Sequence, residues 1–471
     1  MSLFRQSRAY LFATFANAAL SLALLPFATK ILGPDDFGTY GFVLAVVTFM
    51  SGFADAGVGI LLAEHYPAST PAERRNLLTT VAASSVLASA VLALTISVAW
   101  QPLGSLFEAD HLMPELGLAL ACVGMPFRTF SSVSTTAFIL QRRSAAAAYA
   151  LLSQAGIGFS VTLVSLFVFD AGMISLFVGN AAGVVVGASV ALIALRRDLS
   201  VLPTSRWIRE LLRVAPSAAT AGLMEGMRPL VETQSILRGD GTAGVGIFNH
   251  ARLYYGFLMQ VVNSVGYALW PLALQEARNR VDDFRRVGRV WNGVYFLLTA
   301  AGVALAFFAP EFIDVLTHGK FEAASLWAPV LVAYLLLQNS GKAATAILYA
   351  SMKGALVARF RAATVLCAIL SILALGSSGS IAAVIGIAFL EIVAFRFLLH
   401  IAARRLRRSP FQDGWAISGG MAIVVLAFTV QEVDILNRIG LFAVFAAFLA
   451  LVGRRVVVEA WSEFRELRAQ Q

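Results

Sequence analysis

Charge is what this sequence has least of. Charged residues fill 13% of its 471 positions, against about 25% in a soluble globular chain. With 59% hydrophobic residues and a mean hydropathy of +0.78, this excludes a soluble enzyme, a disordered scaffold or a nucleic-acid-binding domain as the main body. Cysteine is almost missing. Cys122 and Cys367 both lie in apolar runs, so neither a disulfide framework nor a thiolate metal site is expected. His65, His111, His250, His318 and His400 have no metal-ligand spacing. Lysine is limited to Lys30, Lys320, Lys342 and Lys353, a matter of composition rather than function. Room for a folded extramembrane domain is missing too. Fourteen crossings of about 22 residues use roughly 308 positions and leave about 160 for the tails and loops.

Nucleotide motifs fail as well. Gly239-Asp240-Gly241-Thr242-Ala243-Gly244 has the spacing of a dinucleotide fingerprint but follows no strand. Gly341-Lys342 precedes Ala343, and Leu336 stands where a phosphate loop has its first glycine. No cofactor and no catalytic residue is therefore expected. Asp282-Asp283 reads as a solvated helix face.

What is present is a series of long apolar runs, the pattern of an all-α polytopic membrane protein. Fourteen spans are expected at 9–31, 37–62, 77–100, 113–140, 147–169, 172–195, 208–237, 241–272, 287–309, 326–351, 358–376, 380–402, 412–430 and 435–457. The first is too long for a signal-peptide core and lacks a cleavage site, so it reads as a retained span. The net charge of +9 fits loops biased towards arginine. With a cytoplasmic N-terminus, 27 basic residues fall inside and 4 outside. An odd miscount of helices would scramble that split, so both termini are expected in the cytoplasm and the protein in the inner (plasma) membrane.

The pattern repeats at an offset of about 205–210 residues. ILGPDDFGTYGF (31–42) leads into the second span as ILRGDGTAGVGIF (236–248) leads into the eighth, and TAFILQRR (136–143) leaves the fourth as TAILYASMK (345–353) leaves the tenth. Two six-helix lobes, 1–200 and 201–408, are expected, related by an axis along the membrane normal. Residues 409–471 add a helix pair and a cytoplasmic tail. Gly179, Gly183 and Gly187 form a stripe for close helix packing. Pro34, Asp35 and Asp36 read as a helix start rather than a cation site.

Ionisable side chains at membrane depth cost roughly 2.5–3.5 kcal/mol each on insertion scales, and persist when paired or lining a wet cavity. Glu225, Arg228 and Glu232 share one face of the seventh span, and His250 and Arg252 follow in the eighth. Counting at 1.5 Å per residue puts Arg228 and Arg252 roughly 14–15 Å deep, a matched pair suited to a phosphate. The competing reading is a structural network in which Glu225 and Glu232 neutralise Arg228. Arg128, after Pro126 in the fourth span, and Lys342 in the tenth are further cavity candidates. Asn17 is the main polar residue of the first span. Glu225, Glu232, Asp55 and Glu391 are the candidates for coupling to Na+ or H+, or for gating; no metal site is expected. Arg396 is placed to snorkel to the inner surface. The buried set is basic in excess, where an exporter of organic cations would need acids.

Residues 26–62, PFATKILGPDDFGTYGFVLAVVTFMSGFADAGVGILL, resemble the opening of the polysaccharide-type (O-antigen) lipid-linked oligosaccharide flippases. That family shares the multidrug/oligosaccharidyl-lipid/polysaccharide exporter superfamily with the multidrug and toxin extruders and the lipid II flippase. Residues 244–255, GVGIFNHARLYY, and 313–337, IDVLTHGKFEAASLWAPVLVAYLLL, are similar to its eighth and tenth spans. The resemblance implies two lobes in a V around a central cavity. It implies transport of a polyprenyl-pyrophosphate-linked glycan to the outer leaflet by alternating access, its tail staying in membrane lipid between the first and eighth spans. It also implies work beside a polysaccharide polymerase and chain-length proteins. The first span has no mid-helix arginine, which favours an O-antigen, capsule or exopolysaccharide unit over a peptidoglycan precursor. Two alternatives stay open: an ion-coupled multidrug or cation antiporter of the same fold, and a membrane glycosyltransferase or polymerase using Glu311, Asp314 and Glu322 in an outer loop at 310–325.

Overall fold

A computed structural model describes residues 3–54, 58–66, 69–100, 115–141, 143–200, 202–278, 285–351, 353–404, 414–431 and 433–469, some of them, Glu225 included, by backbone alone. Among these there are fifteen α-helices and no strand. In chain order they are α1 (Leu3–Ile31), α2 (Pro34–Ala54), α3 (Val58–His65), α4 (Pro71–Val98), α5 (Glu115–Leu140), α6 (Ser144–Phe167), α7 (Ile174–Leu195) and α8 (Ser205–Arg278). Then follow α9 (Arg285–Thr317), α10 (Ala324–Asn339), α11 (Lys342–Ala350), α12 (Gly354–Ala374), α13 (Ile381–Arg404), α14 (Gly414–Thr429) and α15 (Ile435–Ala469).

Where they are described, the fourteen expected runs fall mostly on helix. Nine described helices are each long and apolar enough to cross a bilayer. The tenth span misses that test because it is broken into α10 and α11 at Ser340–Gly341, and α14 because it has only 16 residues. The seventh and eighth spans are two helices, taken together as α8, that meet at a kink at Gly241 with no loop between them. Only Gly241, at φ 71 and ψ −170, leaves helical geometry, a conformation glycine adopts without a Cβ penalty. The expected outer loop at 310–325 is likewise shortened, because α9 continues to Thr317.

The chain divides into two compact units. The N-terminal unit holds Gln6–Gly246 and Leu375–Gly379. In it α4 packs on α5, α5 on α7 and α6 on α7, with α2 against α4 and α5. Burial in lipid gains little from apolarity alone, so close contact comes from small residues. The expected stripe does this work: a Cβ on Gly183 would lie 2.6 Å from the carbonyl oxygen of Gln154, and one on Gly187 2.8 Å from Gln154 Cβ. Asp36 Oδ2 accepts the backbone N–H of Gly33 at 2.9 Å, so Asp36 caps α2. Thr70 and Glu73 form a capping box at α4.

Where α2 starts, it crosses α8 with no space for a side chain. A Cβ on Gly38 would collide with the carbonyl of Thr242, and one on Gly246 with the carbonyl of Pro34. Pro34 and Thr242, and Gly38 and Gly246, are both 208 residues apart, so the internal repeat exchanges the two contacts.

The C-terminal unit holds Ile247–Ala374 and Ser380–Gln471, together with Met1–Arg5. Here α9 packs on α10, α10 and α11 on α13, and α12 on α13. That is the order of α4, α5, α6 and α7 again, and the repeat is therefore structural as well as sequential. The additional helices α14 and α15 pack on α9, and α14 also on α10. Arg438, near the start of the last expected span, is buried on α15, where it is ion-paired with Glu311 and donates to the carbonyl of Phe307 at 3.1 Å.

Candidate functional site

The helices bring a set of cations to membrane depth, and the cations sort by what neutralises them. On α8, Arg228 Nε donates to Glu232 Oε1 at 2.7 Å, one turn away, and both side chains are at most a tenth exposed. Between α12 and α13, Arg361 is ion-paired with Glu391, which also accepts from Thr364 Oγ1 at 3.3 Å. A buried charge of this kind is tolerable only with its partner in place. Arg361, near the start of the eleventh expected span, lies on α12 and meets the Glu391 carboxylate of α13.

Arg396 does not reach for the inner surface. Its guanidinium donates to the carbonyl of Leu337 at 3.1 Å and to that of Gln338. The break at Ser340–Gly341 leaves these carbonyls without their helical partners, and a cation suits the negative end of α10. Tyr295 Oη donates to the next carbonyl, that of Asn339, at 2.6 Å. Gly341, at φ 71, permits the break.

Two cations have no such neutralisation. Arg128, on α5, donates from Nη2 to Asn180 Oδ1 of α7 at 3.3 Å, and Tyr40 of α2 lies beside both. Lys342, the first residue of α11, has its Nζ 5.9 Å from the centre of the Trp291 ring, with the Arg396 guanidinium nearby. No ion pair among the described residues involves Arg128 or Lys342. Both side chains are half-buried. Among the described residues these cations face an amide, a hydroxyl, an aromatic ring or another guanidinium, and neither is paired with a carboxylate. Each arrangement is thus suited to an anion supplied from outside the chain.

The remaining candidates are placed as follows. Arg252 is half-buried, its guanidinium 5.4 Å from the centre of the Phe248 ring. It belongs to the C-terminal unit and Arg228 to the N-terminal one. His250 is fully enclosed, stacked on Phe321 at 4.5 Å with Nε2 3.0 Å from Tyr254 Oη. Asn17 is half-buried on α1. Asp55 and the side chain of Glu225 lie outside the described residues. Tyr40, Asn180, Trp291 and Arg361 escaped sequence reasoning. Asn180 left one signal, as the strongest polar interruption of the apolar run 174–195.

A family model described as polysaccharide biosynthesis protein matches residues 28–326. No curated protein matches the sequence. Solved structures do. A lipid II flippase, MurJ, in an inward closed conformation is similar with a TM-score of 0.69 at 14% identity, covering 95% of this chain and 99% of that one. An inward-facing multidrug resistance MATE family transporter of the MOP superfamily gives 0.64 at 16% identity, covering 85% and 99%. A MATE transporter of Vibrio cholerae gives 0.57 at 14%, covering 86% and 96%. At these identities the likeness is one of fold, a multi-pass membrane transporter fold.

Proposed function

The chain belongs to the polysaccharide biosynthesis protein family, and from that premise we propose that it is a flippase for a polyprenyl-pyrophosphate-linked oligosaccharide. The substrate passes from the cytoplasmic to the periplasmic leaflet of the inner membrane by alternating access, without covalent chemistry. One observation carries this reading. The chain matches Arg228, Arg361 and Arg438 with carboxylates, yet among the described residues Arg128 and Lys342 are paired with none. Such charges are costly in an apolar span, and an anionic pyrophosphate headgroup is a counter-charge suited to each.

In this mechanism Arg128 grips a phosphate oxygen, with Asn180 and Tyr40 fixing the guanidinium plane. In the C-terminal unit Lys342 offers a point charge to an anion, and Arg252 is a further candidate there. Arg228, His250 and Asn17 stand behind these: Arg228 must release Glu232, and His250 its aromatic cluster, before either reaches a headgroup. Glu232 and Glu391 already hold guanidiniums, so coupling to Na+ or H+ through them requires those arginines to let go. The 27-to-4 distribution of basic residues supports cytoplasmic termini.

The test is flipping by purified protein in proteoliposomes. A fluorescent polyprenyl-pyrophosphate oligosaccharide is loaded, and its accessibility to a membrane-impermeant quencher is followed. Protein-dependent exchange between leaflets is expected. Efflux of an organic cation with no movement of the glycan lipid would select the antiporter reading, and sugar incorporation would select the glycosyltransferase.

A further inference from the structure

We propose that the stretch from the end of α7 to the first turns of α8 is a docking surface for anionic phospholipid headgroups, separate from the transport site. The first turns of α8 divide into three faces. Trp207, 3% exposed, and Leu211, one turn on, pack into the core of the N-terminal unit with Leu61, Leu77 and Phe138. Arg206, Arg209 and Arg213, spaced i, i+3 and i+7, point outward. Ile208 and Leu212 form an exposed apolar edge beside them. The preceding helix ends in the same way: exposed Leu192 and Ile193 lead directly to exposed Arg196 and Arg197.

The surface is basic after internal pairing is counted. Residues 192–213 hold five arginines against Asp198 and Glu210. Asp198 is taken by Arg143 from outside the stretch, at 2.6 Å, and Arg206 pairs with Glu73 at 3.1 Å. Arg196, Arg197 and Arg209 take part in no ion pair among the described residues, and Arg213 reaches Glu210 only at 4.0 Å. Anchored by Trp207, the α8 start is held in place rather than left as a tail.

Charge and apolarity together select the occupant. Guanidiniums bind phosphate through paired N–H donors. An acidic protein or a nucleic acid would satisfy the arginines but not the exposed edge of Leu192, Ile193, Ile208 and Leu212, which the spans 172–195 and 208–237 bring to the bilayer. A bilayer boundary of anionic phospholipid satisfies both, with the apolar edge at acyl-chain level and the arginines at headgroup level.

The experiment uses the full chain in a neutral detergent, with thermal unfolding followed while phosphatidylglycerol or phosphatidylcholine is titrated. The wild type is expected to gain stability with phosphatidylglycerol and not with phosphatidylcholine, the gain shrinking as salt rises. In the variant R196Q/R197Q/R209Q/R213Q the apparent affinity for phosphatidylglycerol falls about tenfold or more, with lipid-free unfolding unchanged. Its charge-conserving counterpart with lysines at these positions keeps most of the response. An unaltered response in the glutamine variant overturns the proposal, as does an equal effect of the two lipids on the wild type. Should the glutamine variant not fold, R209Q/R213Q is read by the same criterion. Flipping by the variant is measured separately, so loss of lipid docking is distinguishable from loss of transport.

Discussion

Replacing Arg128 with methionine separates a charge kept for a ligand from one kept for the fold. Its direct tie is a single bond to a neutral amide, Asn180, at 3.3 Å, worth about 1 kcal/mol. Holding the guanidinium at membrane depth costs roughly 2.5–3.5 kcal/mol. Methionine keeps most of the side-chain length and removes the charge, so R128M is expected to fold as stably as the wild type or more so, by about 1–2 kcal/mol. The contrast is Glu232→Gln in the same unit. That change leaves the Arg228 guanidinium without the carboxylate 2.7 Å away, a loss on the order of 3–5 kcal/mol for a buried pair. Chemical denaturation in mild detergent ranks the two variants, and the leaflet-accessibility assay measures transport. R128M is expected to be stable and inactive, and R128K to recover part of the activity, since a point charge replaces a bidentate one. If R128M unfolds as readily as E232Q, Arg128 is an anchor of the fold and the reasoning fails. Wild-type flipping by R128M refutes it equally.

Two further outcomes follow from the same geometry. Gly38→Val and Gly246→Val should each lower the melting temperature and block transport, because either side chain meets the partner helix's backbone carbonyl; normal folding and flipping in either variant would show the crossing is not tight. Arg361→Leu and Glu391→Leu should each cost several kcal/mol, on the order of 3–5, while the double variant recovers most of the loss; additive losses in denaturant melts would show that the pair is not coupled.

The spans were legible because bilayer thickness sets their length, and loops that must stay in water carry the charge. The breaks inside them were not. Ser340–Gly341 interrupts a run that reads as one apolar helix, and what makes the interruption tolerable comes from Arg396 on α13 and Tyr295 on α9. No window along the sequence contains those partners. Depth counting had a similar blind spot. It found Arg228 by position and saw Glu232 one turn on, but it could not see that Arg361 would meet Glu391, thirty residues away.

The repeat contained more than was taken from it. In the structure the fourth span packs on the sixth, and the tenth on the twelfth. Arg128 sits on the fourth and meets Asn180 on the sixth. Lys342 sits on the tenth, beside Arg396 on the twelfth. Each half thus has, among the described residues, a cation paired with no carboxylate on the same member, next to a polar or charged residue on the same neighbour. A purely structural role would have let each half find its own carboxylate, as Arg361 did.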